Sequence, residues 1–150
     1  MEATEQLKQQ HEQLLAIFDE IEFTADTEER TRLAGHLAER MKAHAAVEEE
    51  IFYPALETLG AEEAHERVKG ALEAHRGIDV LLDEFLGSEL TPSAVKVLRT
   101  AVEQHIAEVE QQLLPLAEEL GEAALARLAL RVERYARESD DGDDSVSVNP

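Results

Sequence analysis

Residues His44 to Pro54 read HAAVEEEIFYP, and residues His105 to Pro115 read HIAEVEQQLLP. In each stretch a histidine leads, acids follow one turn on, and a proline comes ten residues after the histidine. Two further stretches pair in the same way. His11 opens HEQLLAIFDE and His75 opens HRGIDVLLDE, with Asp-Glu at the same offset, Asp19-Glu20 and Asp83-Glu84. The chain therefore contains a duplication, in which its first two segments look like its third and fourth. Apolar residues recur throughout at three- and four-residue steps, the period of an amphipathic helix, and no segment alternates with the period of a strand.

The pattern predicts a first helix from about Thr4 to Phe23. A second, with Thr27 as N-cap, runs to a stop at Gly60, and a third from about Ala61 to Leu86 ends at Gly87. Thr91-Pro92 joins an N-capping side chain to a proline at the first helical position, a clear helix start. That fourth helix runs to Leu120, where Gly121 ends it. A shorter fifth covers Glu122 to about Arg137. Long amphipathic helices joined by short loops predict an all-α fold, an up-down-up-down four-helix bundle with a short C-terminal helix added. The domain is placed at residues 1–137. The remainder, ESDDGDDSVSVNP, has acids, no base and little apolar content, and reads as a disordered acidic tail over 138–150.

Composition narrows the function. The chain has 150 residues and a formal charge of −20, yet 43% of it is hydrophobic, enough for one domain with a core. So negative a protein repels phosphate backbones and anionic bilayers, so neither nucleic acid nor membrane is expected as a partner. The absence of cysteine excludes disulfides, thiolate metal sites and cysteine nucleophiles. The N-terminal decapeptide MEATEQLKQQ has no apolar signal region, and no apolar run spans a bilayer, so a cytoplasmic location is expected.

On a helical wheel, with about 100° per residue, each of four histidines falls within an apolar stripe. His11 lies with Leu7, Leu14, Leu15 and Phe18; His44 with Leu37, Met41, Ile51 and Ala55. His75 lies with Val68, Leu72, Ile78 and Leu82; His105 with Leu98, Val102, Val109 and Leu116. One such histidine would be an ordinary core residue. Four of them, one per helix and matched by the repeat, need partners in a dry interior. Glu48, one turn after His44, lies at the centre of its stripe, where a cation would compensate its charge. Asp79 stands in the same relation to His75 and is read as inward-facing, either as a ligand or as a hydrogen-bond partner of a histidine. In the fourth helix Val109 occupies the place of Glu48, and the wheel leaves Glu108 and Glu110 as alternatives. Glu49 and Glu50 lie off the stripe and read as solvated, as do His36 and His65. Nitrogen and oxygen donors without sulfur suit iron, zinc or manganese. Five or six ligands over four helices exceed the needs of a tetrahedral zinc site, so two carboxylate-bridged metals, iron ahead of zinc or manganese, are expected.

At these residues the sequence resembles the hemerythrin family, the HHE cation-binding bundle proteins. The residues that carry it are His11, His44-Ala-Ala-Val-Glu48, His75, and His105 with Glu110, together with the segments ending at Pro54 and Pro115. The resemblance covers about residues 7 to 117 and implies two non-haem irons, oxo- or hydroxo-bridged and joined by two carboxylates. Such a centre binds dioxygen reversibly or responds to oxygen, nitric oxide or iron. The family's last carboxylate follows its histidine by five residues, which favours Glu110 over Glu108. The family also has a histidine four residues after the third one, where this chain has Asp79. That departure points from simple oxygen carriage towards oxidation chemistry or sensing. The metal set is thus His11, His44, Glu48, His75, Asp79, His105 and Glu110. A binding protein for dioxygen or a related diatomic or peroxide ligand is the first reading. A di-iron enzyme consuming peroxide or nitric oxide is the second. A metal-free interaction bundle is the third, and it leaves the inward Glu48 unexplained.

Overall fold

The computed structural model describes residues 1–148, with side chains described through Ser139. Every regular element among them is helical. Helix α1 spans Ala3–Phe23 and α2 spans Thr27–Val47; a π-helical turn over Glu48–Phe52 then leads into α3, Tyr53–Glu57. Helix α4 covers Glu62–Leu86 and α5 covers Pro92–Glu108. A second π-turn, Val109–Leu113, leads into α6, Leu114–Ala117, and a 3-10 turn at Glu118–Leu120 precedes α7, Glu122–Val148. Helix α1 packs against α2, α5 and α7, and α4 packs against α5 and α2. Among the described residues no helix is long and apolar enough to cross a membrane.

Local chemistry explains most of the boundaries. Thr91 caps α5 by accepting from the Ala94 N–H at 3.2 Å, with Pro92 in the first turn. Gly60 and Gly121 follow their helical runs at φ of 66° and 91°, a region open chiefly to glycine. Asp26, not Thr27, holds the cap position of α2, and Thr27 is already helical. The backbone of α7 continues past Arg137 to Val148. Nothing is described of its side chains from Asp140 onward or of residues 149–150, so most of the segment read as a tail is described in its backbone alone.

Both π-turns were missed by the sequence reading, and their cause is in the sequence. Pro54 and Pro115 have no N–H to donate four residues back, and their rings crowd the carbonyls of Glu50 and Gln111. The helix widens by one residue before each proline. The Tyr53 N–H bonds the Glu48 carbonyl and the Leu114 N–H bonds the Val109 carbonyl, both five residues back. One inserted residue turns the apolar stripe by about 100°. Leu56 and Ala117 are therefore buried where an unbroken wheel placed Ala55 and Leu116.

The core has two parts. One gathers Leu7, Val47, Phe52, Leu56, Val109 and Leu113 with Leu125 and Leu128 of α7. The other gathers Leu14, Phe18, Leu37, Met41, Leu82 and Leu98. Each fully buried Leu, Ile or Phe contributes about 1.5–3 kcal/mol through area removed from water. Along α1, α2, α4 and α5 the buried histidine lies where one apolar part gives way to the other, Leu7 and Leu14 flanking His11, and Met41 and Val47 flanking His44. The fold thus holds a polar layer across its waist.

Candidate metal centre

At the middle of this layer is Glu48, fully buried on the first π-turn. Its Oε2 faces the Nε2 atoms of His11 at 3.5 Å and His44 at 3.2 Å. Its Oε1 faces the Nε2 atoms of His75 at 2.9 Å and His105 at 3.3 Å. Within each pair the imidazoles meet edge-on, with centroids 4.7 Å apart for His11 and His44 and 4.6 Å apart for His75 and His105. One carboxylate therefore separates two histidine pairs and turns one oxygen to each.

Burial raises the cost of charge on Glu48, but the field of His44 and the hydrogen bonds of the surrounding rings outweigh it. The Glu48 pKa lies well below the usual carboxylate range. Burial likewise lowers the pKa of His11 and His75, and their carboxylate contacts overcome it, leaving both raised. Tyr53 donates its hydroxyl to Glu48 Oε1 at 3.2 Å and lies 3.3 Å from His75 Nε2. Burial and the adjacent Glu48 charge hold that hydroxyl protonated by raising its pKa.

The donor set fits a cation. The Nε2 atoms of His11 and His44 and Oε2 of Glu48 are all buried with no hydrogen-bond partner, yet they converge. His11, His44 and Glu48 form one group whose ligating atoms lie within 4.8 Å of one another, and Glu48, His75 and His105 form another. Two ligands each about 2.1 Å from one ion stand about 3.0 Å apart at a right angle and about 3.4 Å apart at a tetrahedral angle. The nitrogen–oxygen separations around Glu48 fall in or beside that range.

A second ring of contacts orients the imidazoles. Glu110 Oε2 accepts from His11 Nδ1 at 2.7 Å, and Glu49 Oε2 accepts from His75 Nδ1 at 2.7 Å. Gln10 Oε1 accepts from His44 Nδ1 at 2.6 Å. With Nδ1–H committed outward, each of these rings presents its Nε2 lone pair inward, as a metal ligand must.

Of the seven residues expected to bind metal, the structure gathers five, His11, His44, Glu48, His75 and His105. Glu110 is half-buried on the outer nitrogen of His11, outside both groups. Asp79, read as inward-facing, is exposed, at the rim of a small cavity that reaches His44, His75 and His105. It falls four residues after His75 in unbroken α4, and the bundle turns that position outward. Glu108 is half-buried near Gly70 and joins neither group. His36 and His65 are exposed as expected, His65 bonding Glu57 at 3.0 Å. The sequence reading missed Glu49, Gln10 and Tyr53. Glu49 had a signal, because it occupies the same place in the repeat as Glu110, five residues after its histidine. Gln10 and Tyr53 had none.

The model of the hemerythrin HHE cation-binding domain matches residues 2–117. The chain belongs to that hemerythrin family. The matched stretch holds both histidine pairs and both π-turns and ends before α7. No curated protein and no solved structure matches the chain. Membership makes this a cation-binding domain, and the two His/Glu groups fit a metal site.

Proposed function

We propose that this hemerythrin-family bundle, with up-down-up-down helices, holds two iron ions and binds dioxygen or a related small ligand beside them. The observation that carries this reading is the two-sided Glu48. A buried, ionised carboxylate with a histidine pair on each oxygen calls for positive charge on both sides, which a cation at each pair would supply in place of protons on the rings. His11 and His44 hold one ion and His75 and His105 the other, with Glu48 joining them. Glu110, Gln10 and Glu49 set ring orientation and tautomer. When bound, iron would supply the ligand-binding and redox chemistry that no side chain here provides. Leu14, Ile78 and Val102 line the cavity of about 30 Å3 that reaches the histidines, a space for one small molecule. The apolar parts above and below exclude bulk water.

Metal analysis with an optical spectrum, on protein expressed in iron-replete medium, tests this. About two irons per chain are expected. A single zinc, or no metal, contradicts it. Steady-state turnover of peroxide or nitric oxide by the iron-loaded protein would move the reading from ligand binding to catalysis.

A further inference from the structure

The duplication relates the two halves closely, so each departure from it is informative. His11 and His75 are 64 residues apart, and His44 and His105 are 61 apart. By those offsets Glu49 matches Glu110, and each accepts from the outer nitrogen of the first histidine of the opposite half, His75 or His11. Besides Val109 in the place of Glu48, two departures touch the surroundings of the rings. Gln10, which accepts from His44 Nδ1, is matched by Ala74, which has no acceptor to offer. His105 Nδ1 is buried without a partner as a result. Tyr53 is matched by Leu114, so only the His75/His105 side has a hydroxyl bonded to Glu48.

Both breaks act in one direction. His11 and His44 have their protons held on Nδ1, and their bare Nε2 atoms, with Glu48 Oε2, lack any partner. That side is already arranged for a cation. On the other side His105 has nothing to hold a proton at Nδ1, so its proton belongs on Nε2, 2.9 Å from His75 Nε2 and 3.3 Å from Glu48 Oε1. A cation there must displace the proton to Nδ1, where no acceptor waits, and must also displace the Tyr53 hydroxyl from Oε1. The small cavity touches both His75 and His105, and His44 alone of the other pair.

We infer that the two metal positions are unequal: His11, His44 and Glu48 fill first and hold tightly, while His75, His105 and Glu48 form a late-filling, exchangeable position. The inequality is set by Ala74 in place of a second glutamine and by Tyr53. It rests on the two-metal reading of the same site. Outer-sphere partners of ligating histidines typically alter metal affinity by about 10–100-fold, so a gap of about tenfold or more between the two equivalents is expected.

The test is titration of metal-stripped protein with zinc(II) against a chromophoric chelator, followed by calorimetry and heteronuclear NMR of the histidine rings. Wild type should bind two equivalents in sequence, with the His11 and His44 Nε2 resonances shifting first. Ala74→Gln should tighten the second equivalent by about tenfold and leave the first unchanged. Gln10→Ala should weaken the first equivalent and narrow the gap. Two equal equivalents, first occupation at His75 and His105, or a gap untouched in both variants would overturn the inference while leaving the two-metal reading intact. Failure of wild type to bind any equivalent at the histidines would overturn both.

Discussion

The two histidine pairs are built from repeated sequence, yet their surroundings differ. At His11 and His44 both outer nitrogens have acceptors, Glu110 and Gln10, and both inner nitrogens are unpartnered. At His75 and His105 only one outer nitrogen has an acceptor, and the inner nitrogens are occupied by each other, by Glu48 and by Tyr53. The first pair is a prepared ligand set; the second is a hydrogen-bonded cluster that must rearrange. Glu48 belongs equally to both. The repeat carries the four histidines, Glu48 stands outside it, and a few differences around the rings separate the two positions.

The largest test of this contrast is removal of the shared group. Glu48→Gln keeps the volume and removes the charge, so both metal equivalents should be lost together, as measured by elemental analysis after dialysis. Retention of one tight equivalent would make Glu48 a member of one side only. Next, His44→Ala and His105→Ala should behave differently. The first should remove the tight equivalent and the second only the weak one, read in the zinc titration. Equal losses would erase the asymmetry. Glu110→Ala and Glu49→Ala should each weaken one equivalent by about 10–100-fold, Glu110 the one at His11 and Glu49 the one at His75. If Glu110→Ala abolished both equivalents instead, its carboxylate would be a ligand itself.

Without metal, stability should depend on pH with a definite sign. His11 and His75 are raised above the ordinary value of 6.5. Their contribution is complete below that value and disappears as pH rises through the raised folded values. Glu48, held well below 4.5, contributes above that value and loses its contribution only as pH falls far into acid. Urea midpoints of the metal-free protein should therefore be higher near about pH 6 than near about pH 8.5, and bound metal should flatten or reverse that trend by taking the place of the protons. A midpoint that climbs with pH in the metal-free protein would contradict the assignment. The smallest effect is expected at Asp79. As an exposed rim residue, Asp79→Asn should change stability by less than about 0.5 kcal/mol and leave both zinc affinities unchanged. Loss of an equivalent would return Asp79 to the ligand set.

Much of this was legible in the sequence. The helices follow from the spacing of apolar residues, and Thr91-Pro92, Gly60 and Gly121 mark boundaries through backbone chemistry. The four histidines and Glu48 stood out because polar groups at the centre of apolar stripes need partners. The positions after the π-turns were not legible, because a wheel run straight through Pro54 and Pro115 keeps a period that those prolines break. Glu49 is exposed as read, and what the wheel did not show is that its carboxylate reaches His75 Nδ1. Asp79 misled for a different reason: equal spacing from a histidine places a residue on the helix face without saying how far that face extends into the interior. Gln10 reaches His44 and Tyr53 reaches His75 across the bundle, a relation only the packed chain displays.

In the proposed centre one buried carboxylate, Glu48, joins two metal positions. Iron content of wild type and Glu48→Gln, purified side by side from iron-replete cells with circular dichroism to verify folding, tests it most directly. About two irons per chain are expected in wild type and almost none in the folded variant. A folded variant that keeps its iron, or a wild type that holds none, would contradict it.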